Sequence, residues 1–392
     1  MTTKPFELLI TGDLAPIRHF ATIIEKEPMK VYGDLLPIIC HADYRIANLE
    51  STLVGQDFIV KSGAAFAGKP LHLPVLTQVP FDAVTLANNH TLDTGREHLG
   101  EFLQLLHNAG LSTVGAGLTQ RAAETPLVIH HGDLSIIVFN MSEGEDMMAA
   151  TGKTSGVAGW DVQRLCAKIR HAKASGKFNA IIVIVHCGLE YYPFPPMYVY
   201  DAFKCIAEAG ADVIAGHHVH VPQGMAKFGK TPAYFSLGNF VFYQENQLLH
   251  RKTGYMLKIR IGSKGVLGTE IIPYRIGSDN LRLLSEPEAK AFQRVFSKLS
   301  TPLASRQAAE LAWHACLKWY GVEGFRKELQ TILDKFDSEP QKGAAMLRNR
   351  VNCMQHRMQW TDGLSDIVSQ NKLDIPKEYL TLVNDYFTET LS

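Results

Sequence analysis

The sequence predicts a layered α/β fold, with helices flanking a mixed β-sheet or sandwich and a helical extension at the C-terminus. From the start to about Ile276, β-like runs alternate with amphipathic helical stretches. Two pairs of β-like runs, within 127–139 and 255–276, are separated by glycine-containing turns and predict antiparallel hairpins. After Ser278 the β-like runs stop. We therefore divide the chain into an α/β domain, residues 1–278, and a helical C-terminal region, residues 279–392.

Capping and stop residues delimit several helices. The predicted helix Asp161–Ser175 begins at an aspartate suited to an N-cap and ends before Gly176. The predicted helix Met197–Ala209 likewise ends before a glycine, Gly210. Thr94 and Glu97 have the spacing of a capping box and predict a helix start. In the C-terminal region, helical periodicity covers 287–299, 304–320, 324–336, 343–360 and 376–387.

Composition and charge are those of an ordinary globular protein. The 392 residues are 46% hydrophobic and 20% charged, and 39 basic residues balance 39 acidic ones. Without a block of like charge, a nucleic acid is not an expected partner. The apolar runs are too short for a signal peptide core or a membrane span, so we expect a cytoplasmic protein. Six cysteines without a C-x-x-C pair predict reduced, mostly buried thiols.

Polar side chains that can bind metals follow five predicted strands. They are Asp13, Glu50, the group Asn89, His90 and Asp93, then His186, and finally His217, His218 and His220. In open α/β sheets, ligands bind at the carboxyl ends of strands, so these side chains are expected to converge. Taken singly, Asp13, Glu50, the Asn89 group and His186 are better explained as turn formers, surface acids or hydrogen-bonded buried residues, whereas the three histidines after one strand favour a ligand role even alone. Their joint placement favours a functional site.

The residue types indicate transition-metal chemistry. The six candidate ligands are Asp13, Glu50, Asn89, His186, His218 and His220. Mixed carboxylate, amide and imidazole donors suit one or two ions of manganese, iron or zinc rather than calcium or magnesium. Such ions hydrolyse phosphoesters by generating a metal-bound hydroxide and by neutralising charge on the phosphoryl oxygens. Because alternate residues of an extended segment point the same way, His218 and His220 are predicted to face one centre, and His217 to point away.

Two acidic residues are predicted to support the histidines. Asp93 and Glu190 lie close in sequence to His90 and His186, and we expect them to orient neighbouring imidazoles as hydrogen-bond acceptors.

Six motifs, in order, resemble the CapA family of bacterial capsule and poly-gamma-glutamate synthesis proteins, which is similar to calcineurin-like metallophosphoesterases. They are GDLAPIR, ANLE, ANNHTLDTG, HCGLEY, GADVIAGHHVHVPQ and YFSLGNFVF, spanning roughly residues 6–245. The resemblance implies a metallophosphoesterase-like sandwich and the same six metal ligands, with Glu50 in the place of a bridging aspartate. It also implies that His90 protonates the leaving oxygen.

The motifs depart from the broader phosphoesterase pattern at one ligand. That pattern has a histidine two residues after the first aspartate, where this chain has Ala15, so one of two metals loses a ligand. Arg18 matches the arginine of the first motif and is predicted to hold an anionic substrate oxygen. Val219 replaces a common proline, a change expected to alter loop rigidity. For Asn239, in the last motif, we expect a role in bracing the backbone.

Three functions are compatible with these residues. The leading prediction is a metal-dependent hydrolase acting on a phosphoester or a related anionic substrate, with His90 as general acid. The second is an accessory protein of capsule or poly-gamma-glutamate synthesis that binds polymer or a partner without turnover. The third is hydrolysis or transfer at a gamma-glutamyl amide, whose carbonyl the same metal could polarise.

Overall fold

The computed structural model describes residues 4–143, 147–370 and 373–391. The strands in these ranges are β1 Phe6–Leu14, β2 Tyr44–Leu49, β3 Ala83–Thr85, β4 Ser112–Val114, β5 Ala116–Gly117, β6 Leu127–His131, β7 Leu134–Ser142, β8 Gly156–Val157, β9 Ala180–His186, β10 Val213–His217, β11 Met225–Phe228, β12 Thr231–Tyr234, β13 Thr253–Gly262, β14 Gly265–Ile276 and β15 Leu281–Leu283.

The α-helices are α1 Arg18–Lys26, α2 Leu36–His41, α3 Pro74–Thr77, α4 Leu99–Asn108, α5 Gln120–Ala123, α6 Val162–Ser175, α7 Met197–Glu208, α8 Glu286–Ser300, α9 Arg306–Ser338, α10 Pro340–Asn352, α11 Met354–Ser369 and α12 Lys377–Thr388. Short 3₁₀ helices cover Pro28–Leu35, Pro70–His72, Arg96–His98, His250–Lys252 and Pro302–Ala304.

Two mixed sheets form the centre of the molecule. The first has the strand order β15-β14-β13-β1-β2-β3-β4, and the second has the order β11-β12-β10-β9-β7-β6. Strands β1 to β4 run parallel, as do β7, β9, β10 and β12, while hairpins supply the antiparallel neighbours. The predicted mixed, doubled α/β architecture is therefore confirmed, including both hairpins.

Hydrophobic packing joins the sheets to one another and to the helices. One buried cluster takes Leu8 and Ile10 from the first sheet and Ile182 and Ile184 from the second, so it fills the space between them. The outer face of the first sheet packs on α1 and α4, and that of the second on α6 and α7. The layers follow the order helix, sheet, sheet, helix, as expected when each sheet has two apolar faces to cover.

The C-terminal helices share a core with the second sheet. Trp313 and Cys316 of α9 and Val383 of α12 belong to the same buried cluster as β9, α6 and α7. Among the described residues, we find no helix that combines the length and apolarity needed to cross a bilayer.

Local boundaries differ from the sequence prediction in three places. Strand β15 adds Leu281–Leu283 to the edge of the first sheet, beyond Ser278, where β-like runs were predicted to stop. Thr94 does not cap a helix, because its hydroxyl donates to the carbonyl of Val54, and α4 begins only at Leu99 after a 3₁₀ turn. The segment 343–360, predicted as one helix, is broken at Cys353, whose backbone is extended. In contrast, Asp161 caps α6 through the amide of Arg164, as predicted.

Candidate metal centre

The six candidate ligands lie together in a buried cluster. Five of them supply donor atoms that form two groups, one of Glu50, His186 and His218 and one of Asp13, Glu50 and His220, and within each group the atoms lie within 4.8 Å of one another. Glu50 belongs to both groups and is fully buried. A carboxylate shared in this way is suited to bridging two cations.

Strand pairing explains why residues so distant in sequence converge. Asp13 near the end of β1 pairs with Asn48 near the end of β2, two residues before Glu50. On the second sheet, His186 of β9 pairs with His217 of β10. A bridge between Asp13 and Asn239 then links the first sheet to the segment after β12. The carboxyl ends of the parallel strands of both sheets therefore meet at one edge.

Asn89 lies next to His186 and Glu50. The Oδ1 atom of Asn89 is 2.9 Å from Nε2 of His186, and that nitrogen is 3.4 Å from Oε1 of Glu50. On the other side of the ring, Nδ1 of His186 is 3.3 Å from the amide nitrogen of Asn48, which also donates to Asp13 at 2.8 Å. Nε2 of His186 consequently faces the other donors. Asn48, which the sequence analysis did not select, ties the two groups together.

Asn239 orients His220 with its side chain rather than only bracing the backbone. Its Oδ1 lies 2.8 Å from Nδ1 of His220, while Nε2 of the same ring is 3.8 Å from Oε1 of Glu50. Accepting the Nδ1 proton leaves the lone pair on Nε2, so the tautomer suits a ligand. The sequence prediction for Asn239 gave it only a role in bracing the backbone and did not include this side-chain contact.

The histidine segment after β10 is not extended, contrary to the basis of the sequence prediction. His218 and His220 both adopt left-handed backbone conformations, with φ of 91° and 61°. Such conformations are uncommon for non-glycine residues and are found preferentially at functional sites. His217 does turn to a different partner, but it remains in the site, because its Nδ1 lies 2.9 Å from Oδ1 of Asp13.

The electrostatic surroundings favour the protonation states that metal ligands need. Burial would raise the pKa of Asp13, but hydrogen bonding and charge from His217, charge from His220 and a bond from Asn48 lower it below the usual value. Burial, reinforced by the charges of neighbouring histidines, lowers the pKa of His186 well below its usual value. An ionised carboxylate and a neutral imidazole are both competent donors.

His90 lies beside the cluster and is held by two charged residues in series. Its Nδ1 is 2.6 Å from Oδ2 of Asp93, and its Nε2 is 3.9 Å from Oε1 of Glu50. Asp93 in turn accepts hydrogen bonds from Lys61 at 3.0 Å and from the backbone amide of Phe66 at 2.9 Å. The Phe66 ring stacks on the imidazole at 3.8 Å. Burial raises the pKa of Asp93, but the charges of His90 and Lys61 lower it overall.

Two selected residues lie outside this arrangement. Arg18 is exposed, with its guanidinium 5.8 Å from the Phe242 ring and 3.4 Å from the Tyr243 carbonyl, and within the described ranges it has no hydrogen bond to the six donors. Glu190 forms no hydrogen bond with a described histidine. The left-handed conformations of Gly188 and Tyr191 turn the chain after β9, and Glu190 lies near Arg251 instead.

Some residues of the site carried no usable signal in the sequence. Lys61 resembles any surface lysine, yet it is 1% exposed. Gln355 of α11 reaches His218, with its amide nitrogen and oxygen 3.1 Å and 3.3 Å from Nε2. A single sequence offers no way to place a C-terminal glutamine beside a histidine 137 positions earlier.

Residues 7–244 match the family model described as "Bacterial capsule synthesis protein PGA_cap". The chain belongs to this family. The matched range contains all six candidate ligands and His90, so the PGA_cap family likeness and the geometry concern the same part of the molecule. The helical C-terminal region lies outside the match.

Named relatives carry similar descriptions. The chain is 26% identical over 282 residues to the capsule biosynthesis protein CapA of Bacillus anthracis, covering 69% of this chain and 67% of the relative. It is 28% identical over 244 residues to the PGA biosynthesis protein CapA of Bacillus subtilis, covering 59% of this chain and 62% of the relative. The chain thus spans about two thirds of the length of these relatives.

Among solved structures, the chain is similar to the NAD nucleotidase of Haemophilus influenzae, at 13% identity and a TM-score of 0.39. That likeness covers 74% of this chain and 56% of the nucleotidase.

Proposed function

We propose that the chain is a metal-dependent hydrolase that cleaves a phosphoester or a related anionic substrate, using one or two ions of manganese, iron or zinc. The observation that carries the proposal is the pair of donor groups sharing Glu50, with Nε2 of His90 3.9 Å from the shared carboxylate. A structural metal site would not need a hydrogen-bonded histidine facing its ligands.

The donor set fits divalent transition metals. Buried carboxylates alone would attract calcium or magnesium, whereas three imidazoles select softer ions. When bound, such ions would acidify a water molecule and neutralise charge on phosphoryl oxygens. The group of Asp13, Glu50 and His220 has three donors, because Ala15 stands where a fourth would be, while Asn89 adds an oxygen to the other group. We therefore propose that the group containing His186 holds its ion more tightly.

His90 is the proposed general acid. Because Asp93 holds Nδ1, the nitrogen that faces the centre is Nε2, which is therefore placed to carry a proton to the leaving oxygen. Stacking on Phe66 fixes the plane of the ring, and the Lys61–Asp93 ion pair fixes its carboxylate partner. These residues orient and protonate without contacting a metal themselves.

The least buried side of the centre has surroundings suited to binding an anionic substrate. Among the centre's side chains, His90 at 5% and Asn89 and His220 at 3% retain the most exposure. Around His220, the Phe242 ring packs at 5.1 Å and the Tyr191 ring at 5.6 Å.

An arginine lies over each of these two rings. Arg18 lies over Phe242 at 5.8 Å, and the Arg251 guanidinium lies 3.6 Å from the centre of the Tyr191 ring. Two guanidinium groups at the rim would attract negative charge on a substrate.

Turnover measurements on protein stripped with chelator and reloaded with Mn²⁺ or Zn²⁺ test this proposal. We expect metal-dependent hydrolysis of an aryl phosphate or of a member of a phosphoester panel. His90→Ala should lower kcat by about 10²–10⁴-fold while retaining metal. Arg18→Ala should raise KM with a smaller change in kcat.

A panel of gamma-glutamyl peptides, assayed in parallel, separates the alternatives. Turnover of peptides but not phosphoesters would replace the proposed substrate class. Metal binding without turnover of either panel would contradict the hydrolase and favour the accessory role that the names of the relatives suggest.

A further inference from the structure

The corner between α10 and α11, residues 349–359, buries four polar side chains. Asn349, Cys353, Gln355 and Gln359 are each at most 3% exposed, although the helices around them are otherwise polar. Buried polar groups are stable only when they are hydrogen-bonded, so the partners of these four show what the corner recognises.

All four partners lie in the α/β domain, in or near the candidate metal centre. Gln355 contacts Nε2 of His218. Cys353 is 3.3 Å from Oε1 of Glu143, whose other oxygen accepts from the amide of Gly188, two residues after His186.

The remaining pair of contacts extends this pattern. Asn349 donates to the hydroxyl of Ser62, the residue after Lys61, and Gln359 is 3.4 Å from the hydroxyl of Tyr192.

A second set of contacts from α10 reaches the support of His90. Lys342 donates to the carbonyls of Lys61 and Gly63 at 2.8 Å and 2.6 Å. The same lysine, Lys61, forms the buried ion pair with Asp93 that holds His90. The corner therefore contacts one candidate ligand, and Lys342 of α10 contacts the 61–63 backbone that supports the candidate general acid.

We propose that the C-terminal helices complete the metal centre and that Gln355 is a positioning residue for His218. The inference rests on the proposed function, because it takes His218 as a metal ligand. When the amide oxygen of Gln355 accepts the Nε2 proton, the lone pair of the imidazole is on Nδ1. Outer partners of this kind fix the tautomer and ring orientation of ligating histidines. The family match ends at residue 244, so the matched part of the chain does not contain this residue.

Helix α11 provides a matched control for the test. Gln359 lies one turn after Gln355 on the same face, is equally buried and bonds to a tyrosine rather than to a candidate ligand. Gln355→Met and Gln359→Met each replace a buried amide by a side chain of similar length without hydrogen-bonding groups. Gln355→Glu keeps the acceptor and strengthens it by charge.

The experiment is calorimetric titration of the chelator-stripped full chain with Mn²⁺. We expect Gln355→Met to weaken one class of sites about 10–100-fold, Gln359→Met to stay within about twofold of wild type, and Gln355→Glu to bind at least as tightly as wild type. Thermal unfolding of the metal-free proteins identifies variants that no longer fold. If Gln355→Met does not fold, the Mn²⁺ affinity of Gln355→Glu is compared with that of wild type instead.

Three results would overturn the inference. Wild-type affinity in Gln355→Met would show that the contact does not position His218. Equal losses in both methionine variants would show general packing by the corner, and weaker binding in Gln355→Glu would exclude an acceptor role. Wild-type protein that binds no Mn²⁺ would instead overturn the proposed function itself.

Discussion

Replacing Lys61 by methionine tests the buried chain of contacts behind His90. Lys61 is 1% exposed and donates to Asp93 at 3.0 Å and to the carbonyl of Asn89 at 2.6 Å. Removing one partner of a buried ion pair costs about 3–5 kcal/mol, because the remaining charge stays desolvated. Asp93 keeps its bonds from His90 and Phe66, so we expect the lower end, about 3 kcal/mol.

The measurement is urea unfolding of Lys61→Met, with Lys69→Met as control. The Lys69 side chain is 65% exposed and pairs with Glu25 on the surface, so its replacement should leave the unfolding midpoint unchanged. The double variant Lys61→Met, Asp93→Asn removes both charges and should recover part of the lost stability. Equal midpoints for Lys61→Met and Lys69→Met would refute the reasoning, as would a double variant less stable than the sum of the single effects.

Two further predictions concern the backbone near the site and the attachment of the C-terminal helices. Gly12→Ala would place a Cβ 2.1 Å from the carbonyl oxygen of Gly238, so we expect the free energy of unfolding in urea to fall by about 1–3 kcal/mol. As a control, Gly152→Ala should be as stable as wild type, because its Cβ would meet no atom within 4 Å. Equal stabilities of the two variants would contradict this prediction. Burial lowers the pKa of His250 from the ordinary histidine value of about 6.5 to about 4, so the unfolded chain binds the proton first as pH falls. His250 should therefore contribute a drop of about 1.4 kcal/mol per pH unit to the free energy of unfolding between those values, in addition to the contribution of His186. His250→Phe should reduce the total slope by that amount, and an unchanged slope would exclude His250 as a contributor.

The architecture and the six donor residues could be predicted because each produces a pattern that is local in the sequence. Alternating apolar runs and turn residues indicate strands and hairpins, and each candidate ligand directly follows such a run. Strand register brings Asp13, Asn48 and His186 to one edge of the sheets. Convergence at this edge could be predicted from the positions of the candidate ligands at strand ends, without knowing which strands pair.

Contacts that cross between distant segments could not be anticipated in this way. The burial of Lys61 depends on Asp93 and on the α10 helix, and the turn that directs Glu190 toward Arg251 depends on positive φ values at Gly188 and Tyr191. The extended geometry assumed for the histidine segment was wrong because His218 and His220 adopt positive φ values, which are uncommon outside glycine and leave no pattern in the sequence.

The role of the C-terminal region shows the same limit. Its helical periodicity is visible in the sequence, but the break at Cys353, which directs Gln355 to His218, is not marked by proline or glycine. The proposed division at residue 278 stays a prediction.

The most direct test of a metal centre in which Glu50 serves both donor groups is the metal content of the Glu50→Gln variant, measured by elemental analysis. The variant is purified without chelators and compared with wild type and with Glu190→Gln. Since Glu50 belongs to both donor groups, the account predicts up to two transition-metal ions per chain in wild type and in Glu190→Gln, and a loss at both groups in Glu50→Gln. Wild-type metal content in Glu50→Gln would contradict it.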